Sequence, residues 1–211
     1  MSRTLALFPL QIVVFPGEAL NLHIFEPRYR QLMRDCEQDQ LTFAIPFFQH
    51  GSIKEYATEV RLLAIEKVYP GGEMDVKTQA LGIVRIQEFY PQLGEKLYAG
   101  GLVKDYPFES NENRLVNEQI LQRARELFVA LDISKPLPKN AAAFTTFDIA
   151  HYVGFNPDQE YEFLLTLAAT TRQHVLLEQI SRVIPVVKEM ENLRNRAQLN
   201  GHFKNLIPPK I

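Results

Sequence analysis

The spacing of apolar residues changes near Phe108, and this change constrains the fold more than any other feature of the sequence. Before Phe108, segments such as Leu20–Ile24 alternate apolar and polar residues, as a half-buried strand requires. After Phe108, apolar residues recur at intervals of three and four, which is typical of amphipathic helices. The sequence therefore predicts an α+β protein, with a β-barrel subdomain at residues 1–108 and a helical bundle subdomain at residues 109–211.

A long hairpin is the clearest prediction within the first subdomain. Its two arms, Glu59–Tyr69 and Met74–Tyr90, are joined by Pro70-Gly71-Gly72, a strong turn signal. Gly82 interrupts the second arm and predicts a bulge or a bend. The other predicted strands are Leu5–Phe8, Ile12–Phe15, Leu20–Ile24, Leu41–Phe48 and Leu97–Tyr106. Several strands joined by short turns favour a closed or partly closed barrel.

One helix is predicted inside the barrel region. Pro27 suits the first helical turn, and Glu26 before it would lie at the positive end of the helix dipole. An apolar stripe at helical spacing follows and consists of Tyr29, Leu32, Met33 and Cys36. A buried thiol is therefore favoured for Cys36 over a reactive one. Because Cys36 is the only cysteine, an intramolecular disulfide and a cysteine-based zinc site are excluded.

Four helices are predicted after Phe108, each with a capping or proline signal near its start. These starts are Ser110 or Asn111, Thr145 or Thr146, Asn156-Pro157 and Thr171. A linker is expected at about 132–144, and the third helix is expected to run to about Ala169. Pro185 lies inside the last helix and predicts a kink or a restart. The apolar seam of this helix fits packing within the bundle or, alternatively, a dimer contact, so the oligomeric state stays open.

Composition and charge argue against several function classes. With 23 basic and 25 acidic residues the formal net charge is -2, so no long-range attraction to nucleic acid or anionic lipid is expected. The N-terminus lacks an apolar segment of signal-peptide length, and no stretch approaches the ~20 apolar residues of a membrane helix. The expected location is the cytoplasm, without membrane association.

The sequence carries no recognisable signal of catalysis, of cofactor binding or of metal binding. It has no His-Glu-x-x-His spacing, no P-loop, and no serine in a Gly-x-Ser-x-Gly elbow. Asp148 and His151 are three residues apart on a predicted helix, but with no third ligand nearby a surface pair is favoured over a metal site. We therefore expect no catalytic residue, no cofactor and no metal.

Two segments near the N-terminus together resemble the opening of the N-terminal domain of Lon proteases. The first, Leu7–Gly17, reads Leu-Phe-Pro-Leu-Gln-Ile-Val-Val-Phe-Pro-Gly. The second, Leu22–Tyr29, reads Leu-His-Ile-Phe-Glu-Pro-Arg-Tyr and leads into the embedded helix. The combination is specific, and looser matches follow in order along essentially the whole chain, including Tyr161–Leu165 and Arg172–Leu177.

The resemblance implies a PUA-like pseudo β-barrel with one embedded helix, followed by a C-terminal helical bundle. It also implies a role, because this domain of Lon helps to recognise unfolded or tagged substrates. The Lon ATPase and Ser-Lys peptidase have no counterpart in this sequence. We therefore expect a non-catalytic module that binds unfolded or tagged polypeptides. It could act as an adaptor for proteolysis or protein quality control, as a holdase-like binder or as a competitor of full-length Lon, with full-length Lon or another protease as a further candidate partner.

Five residues are the candidate peptide-binding residues, namely Phe15, Phe25, Arg28, Tyr29 and Phe48. A groove beside Phe15, Phe25 and Tyr29 could accept an extended apolar peptide on a sheet edge. Phe48 follows Phe47 in a predicted strand, so one of the two should be exposed. Arg28 either pairs with an acidic side chain and fixes the barrel against its helix, or contacts the ligand.

Two other functions remain open on the sequence alone. PUA-like barrels elsewhere bind RNA, although the charge balance of this chain predicts weak and salt-sensitive affinity. The basic tail residues Arg194, Arg196, Lys204 and Lys210 are diluted by nearby glutamates, which favours a solvated helix face. The remaining alternative is a small-ligand pocket at the junction of barrel and bundle, since domain junctions favour pockets.

Overall fold

In the computed structural model, which describes residues 2–202, six strands form a single mixed sheet. They are β1 (Ser2–Leu7), β2 (Ala19–Ile24), β3 (Thr42–Gln49), β4 (Ser52–Val68), β5 (Met74–Tyr90) and β6 (Ala99–Asp105). The order is β2-β5-β4-β3-β1-β6, and β6 also pairs with β5, so five strands close a ring of hydrogen bonds. β2 lies outside this ring and pairs with β5. The predicted pseudo-barrel is therefore confirmed, and it is not a regular barrel.

The turn between β4 and β5 requires glycine for two reasons. Gly72 has φ of 88°, in the left-handed region, and its N–H donates to the Tyr69 carbonyl over 2.9 Å. A Cβ at this position would lie 2.6 Å from Nη1 of Arg30. That same Nη1 donates to the Gly71 carbonyl over 2.6 Å, which ties the hairpin turn to the embedded helix. The predicted long hairpin is thus confirmed, including its Pro-Gly-Gly turn.

The bulge predicted at Gly82 is also present. Glu59 of β4 pairs with Gly82, but the next residue, Val60, pairs with Ala80. Leu81 is the extra residue of β5 at this point, and its side chain is 37% exposed. A bulge increases the local bend of a strand, which helps one long hairpin to curve into a ring.

The predicted strand Ile12–Phe15 is wrong, because this segment forms a loop. Its apolar residues Val13, Val14 and Phe15 are nevertheless buried. Side chains satisfy its backbone groups: the Thr58 hydroxyl donates to the Val14 carbonyl over 2.5 Å, and the Phe15 N–H donates to the Glu18 carboxylate over 3.0 Å. The apolar run therefore reflects burial in the core and not strand pairing.

The embedded helix α1 (Pro27–Asp39) begins at the predicted proline. Glu26 before it is extended, at φ -71° and ψ 135°, as the residue before a proline prefers. All four residues of the predicted stripe are buried. Burial raises the pKa of the Cys36 thiol to about 12, so the reactive thiolate is scarce at neutral pH. The structural interpretation of Cys36 is confirmed.

Two compact units divide the chain, and their limits differ from a single boundary at residue 108. The barrel unit contains Met1–Asn111 and Asn156–Ala169, and the helical unit contains Glu112–Phe155 and Thr170–Ile211. The third α-helix, α3 (Pro157–Leu164), therefore belongs to the barrel unit. The cause is apolar packing, since the ring of Phe163 lies edge-on to that of Phe15 with 6.0 Å between centroids. Residues 203–211 of the predicted bundle lie outside the described residues.

The helical unit contains α2 (Arg114–Ala130), two 3-10 helices (Ala141–Ala143 and Thr146–Tyr152) and nearly all of α4 (Ala169–His202). Helix α2 begins later than predicted because Asn113 caps it, with its side-chain oxygen accepting from Leu115 N at 2.9 Å. The capping box at Thr145 confirms the predicted start of the second 3-10 helix. Helix α4 continues through Pro185, so of the predicted kink or restart the restart is excluded.

An ion pair is buried in the helical unit. Arg172 of α4 and Glu112 have side chains only 1% and 3% exposed, with Nη2 and Oε1 separated by 3.5 Å. Thr146 donates to the same carboxylate from its hydroxyl, over 2.5 Å, and from its backbone N–H. The guanidinium also lies 4.8 Å from the centroid of the Phe147 ring. Three segments that are distant in sequence are therefore joined by one polar network.

Candidate functional site

The five candidate peptide-binding residues all lie in the barrel unit, but they do not share one surface. Phe15 is fully buried and Tyr29 is 5% exposed, whereas Phe25 is 63% exposed. Arg28 is exposed, and Phe48 is half-buried. Only the last three residues can contact a ligand without a rearrangement of the core.

Phe15 and Tyr29 belong to the apolar core and do not line a groove. Phe15 packs against Phe163, and the Tyr29 ring lies 4.0 Å from the ring of Phe8, measured between centroids. Burial raises the pKa of the Tyr29 hydroxyl. Their place in the motif is explained by packing, since large aromatic side chains dominate the energetics of a core. The structure corrects the predicted groove by removing these two residues from it.

Arg28 pairs with a carboxylate, although not with one that joins the helix to the barrel. Its guanidinium lies 2.7 Å from Oε2 of Glu26, two residues earlier in the chain. The same group lies 4.5 Å above the Tyr29 ring. Half of the Arg28 side chain remains exposed, so the pair contributes little to stability. Arg28 therefore contacts the two residues Glu26 and Tyr29 at the start of α1, and it stays accessible to a partner.

Phe25 is held in solvent by the local backbone. It lies in the two-residue link between β2, which ends at Ile24, and α1, which begins at Pro27. The chain cannot shift here without cost, because Ile24 is paired with Met74 of β5 and is buried. Covering a phenylalanine that is exposed to this degree removes apolar surface from water, which favours binding of a partner.

Phe25 is part of an aromatic group at the hairpin end of the barrel unit. The rings of His23 and Phe25 are stacked, with 6.4 Å between centroids, and Tyr69 lies edge-on to His23 at 5.7 Å. Nζ of Lys67 lies 4.2 Å from the centre of the Tyr69 ring. We call the residues His23, Phe25 and Tyr69 the Phe25 surface.

Asp75 orders this surface from the neighbouring strand. His23 Nδ1 lies 2.6 Å from one carboxylate oxygen of Asp75, and the Tyr69 hydroxyl donates to the other over 2.8 Å. These hydrogen bonds from His23 and Tyr69 hold the pKa of the Asp75 carboxyl below its ordinary value. At neutral pH the carboxylate is ionised and both aromatic side chains are oriented by it. The arrangement is suited to binding apolar or aromatic side chains.

Phe48 lies at the opposite end of the long hairpin. It pairs with Ile53 at the start of β4, whereas the Phe25 surface adjoins the other end of that strand near Val68. At about 3.3 Å per residue, this separation is roughly 50 Å along the path of the strand. Phe47 is buried against the Tyr161 ring, whereas Phe48 is half-buried, so neither phenylalanine of the pair is fully exposed as predicted. The candidate residues Phe25 and Phe48 therefore lie at opposite ends of the long hairpin.

Sequence reasoning missed three residues of this site, namely His23, Tyr69 and Asp75. The alternation in β2 already placed His23 on the exposed face of its strand. The register that sets His23 opposite Asp75 was not available, because it depends on which strand pairs with β2. The only signal in the sequence for this site was an outward-facing polar residue, His23, two positions before Phe25.

The structure adds two negative findings for the residues that it describes. Within residues 2–202, no group of three or more histidine, cysteine, aspartate or glutamate side chains could hold a metal ion. Over the same part of the chain, no helix combines the length and the apolar character needed to cross a membrane.

Comparisons with known proteins place this geometry in a family. The model of the ATP-dependent protease La (LON) substrate-binding domain matches residues 4–182. A crystal structure of a Lon N-terminal domain protein from Xanthomonas campestris is 23% identical, with a TM-score of 0.63, covering 83% of this chain and 98% of that one. The N-terminal domain of the Mycobacterium avium complex Lon protease is 13% identical, with a TM-score of 0.61, covering 85% of this chain and 98% of that one.

These likenesses agree on the fold. No curated protein is significantly similar to the chain. The two solved structures share the fold at low identity, and the family model spans the barrel unit and most of the described helical unit. This chain therefore belongs to the Lon substrate-binding domain family.

Proposed function

We propose that this chain is a non-catalytic module that binds apolar segments of unfolded or tagged polypeptides through the Phe25 surface. The observation that carries the proposal is Phe25 itself, an aromatic side chain 63% exposed at a rigid strand-to-helix link. Family membership supports recognition of protein substrates. We further propose that the chain acts as an adaptor in proteolysis or protein quality control, with a protease as its second partner.

The chemistry of the Phe25 surface favours an apolar polypeptide as the ligand. Aromatic side chains are the commonest anchors of protein interfaces, because they bury a large area at a small entropic cost. Near Phe25, Arg28 is paired with Glu26, and the Asp75 carboxylate already accepts hydrogen bonds from His23 and Tyr69. A charged ligand would have to displace these partners, whereas an apolar segment would cover the rings and leave the pairs intact.

The non-catalytic part of the proposal is supported by the chemistry of the described residues. The thiol of Cys36 is buried and has a raised pKa, which makes it a poor nucleophile. The His23–Asp75 pair orients an imidazole, but its ring neighbours are Phe25 and Tyr69 and not a serine or cysteine. Binding accounts for the geometry without a reaction.

Replacing Phe25 with alanine is expected to weaken the binding of a labelled, permanently unfolded polypeptide by about tenfold or more, as truncation of an interface anchor does. The measurement is fluorescence anisotropy, in which the labelled polypeptide is titrated with the purified full chain. Because the interaction is apolar, the affinity of the unaltered chain should survive moderate salt.

Phe89→Ala is the matched control for this prediction. Phe89 is also an exposed phenylalanine, 47% exposed, and lies on β5 far from the hairpin turn. Its loss should change the affinity by less than about twofold. Equal losses in the two variants would point to non-specific adhesion, and saturable binding that ignores Phe25→Ala would reject the Phe25 surface.

A further inference from the structure

β2 has a backbone edge that no other described strand covers. The five strands of the ring each have neighbours on both sides, since ring closure removes edges. β2 pairs with β5 through six residues from Ala19 to Ile24 and has no second partner among the described strands. This edge leads directly to Phe25, the residue that follows β2.

The pairing with β5 shows which backbone groups point outward. The Ala80 N–H donates to the Glu18 carbonyl over 2.8 Å, immediately before β2. Because hydrogen-bonding direction alternates along an antiparallel strand, the backbone groups of Ala19, Asn21 and His23 point away from β5. The side chains of these three residues are exposed as well. The N–H and C=O groups of these three alternate residues thus face an incoming strand.

β2 lacks three of the features that protect natural edge strands from strand addition. Natural edge strands are blunted by lysine, by proline or by a bulge. β2 reads Ala-Leu-Asn-Leu-His-Ile, and its pairing with β5 has no register shift. The β4–β5 pairing, in contrast, contains three register shifts. An unprotected and regular edge is suited to pairing with a partner.

Charge indicates which partner this edge accepts. β2 contains no lysine, arginine, aspartate or glutamate. The charged residues opposite it on β5 already have partners within the protein, since Lys77 lies 2.5 Å from Glu66 and the Asp75 carboxylate accepts hydrogen bonds from His23 and Tyr69. A charged strand would find no countercharge here, whereas an uncharged strand needs none.

We propose that the free edge of β2 accepts an extended, uncharged polypeptide segment as an additional strand. This inference rests on the proposed function and specifies its substrate class: the backbone of the segment pairs with β2, and a side chain beyond the pairing covers Phe25. Main-chain hydrogen bonds give affinity without reading sequence, which suits a binder of many polypeptides.

The test uses a fluorescein-labelled peptide of alternating valine and threonine, together with two derivatives N-methylated at one or the other set of alternate backbone nitrogens. At least one derivative is expected to bind the full chain about tenfold more weakly or worse, because N-methylation removes donors and blocks approach on one edge of a strand. The variant Asn21→Pro is expected to weaken the parent peptide similarly, since proline is tolerated where the N–H faces outward. Thermal unfolding of this variant checks that β2 remains folded.

The outcomes separate this inference from the proposed function. If both N-methylated peptides bind like the parent, recognition is through side chains alone and strand addition is overturned. It is also overturned if an unfolded polypeptide binds and the parent peptide does not. If neither ligand binds, the proposed function itself fails. Should Asn21→Pro unfold, the peptide derivatives still decide the question, because they require no altered protein.

Discussion

Replacing Arg172 with methionine is expected to lower the free energy of unfolding by about 3–5 kcal/mol, the cost of removing one member of a buried ion pair. The reason is that Glu112, with a side chain 3% exposed, would keep its charge in the core without the guanidinium beside it. Domains of this size are stable by only about 5–15 kcal/mol, so the loss is a large share of the total. Denaturant titration followed by circular dichroism at a helix-sensitive wavelength measures it.

Two further variants identify the cause of that loss. Arg123→Met removes an exposed arginine whose partner Glu126 lies 3.5 Å away, and it should cost less than about 0.5 kcal/mol. The double variant Arg172→Met with Glu112→Gln should recover about 1 kcal/mol or more, because the uncompensated charge is gone. An Arg172→Met protein as stable as the unaltered chain would contradict the account of the helical unit.

Phe15→Ala is expected to destabilise the barrel unit by about 3–5 kcal/mol, as truncation of a buried phenylalanine does. Phe15 is fully buried and contacts Phe163, so its loss leaves a cavity where α3 meets the barrel. Chemical denaturation measures the change in the free energy of unfolding. The affinity for an unfolded polypeptide, corrected for the folded fraction, should not change, because Phe15 has no exposed surface.

The comparison with Phe25→Ala separates a structural phenylalanine from a binding one. Phe25→Ala should cost less than about 1 kcal/mol in stability, since its side chain is largely in solvent. Phe15→Leu keeps most of the buried volume and serves if the alanine variant does not fold. A Phe15 variant with unchanged stability and weakened polypeptide binding would return this residue to the binding surface.

Local signals in the sequence predicted much of the fold. The Pro-Gly-Gly turn and the alternation on either side of it identified the long hairpin, and the stripe from Tyr29 to Cys36 identified the buried face of α1. Gly82 marked a bulge because glycine interrupts a strand pattern for few other reasons. These features depend on residues close together in the chain, which is why periodicity and turn chemistry could find them.

Features that depend on long-range packing could not be found in this way. The apolar run Ile12–Phe15 has the composition of a strand, but its backbone bonds to the side chains of Thr58, distant in sequence, and of Glu18 in the same loop. α3 was assigned to the bundle by its helical pattern, whereas the contact of Phe163 with Phe15 places it in the barrel unit. Periodicity predicts which residues are buried, but it does not predict which residues they pack against.

In the candidate site, too, local sequence signals identified some features, whereas others depend on long-range packing. A motif that contains four phenylalanine or tyrosine residues, Phe8, Phe15, Phe25 and Tyr29, does not reveal which of them faces solvent. Only Phe25 does, because it occupies the link between two regular elements and the others lie on buried faces. The hydrogen bonds of Asp75 to His23 and Tyr69 depend on strand register and on a turn, and neither can be derived from residue types alone.

Site-specific photo-crosslinking at position 25 shows whether polypeptides bind at the Phe25 surface. A benzophenone-bearing amino acid replaces Phe25 in one sample and Phe89 in another, and each is irradiated with a labelled, permanently unfolded polypeptide. We expect capture from position 25, reduced by excess unlabelled polypeptide, and little capture from position 89. Equal capture from both positions, or capture from position 89 alone, would contradict the claim that polypeptides bind at the Phe25 surface.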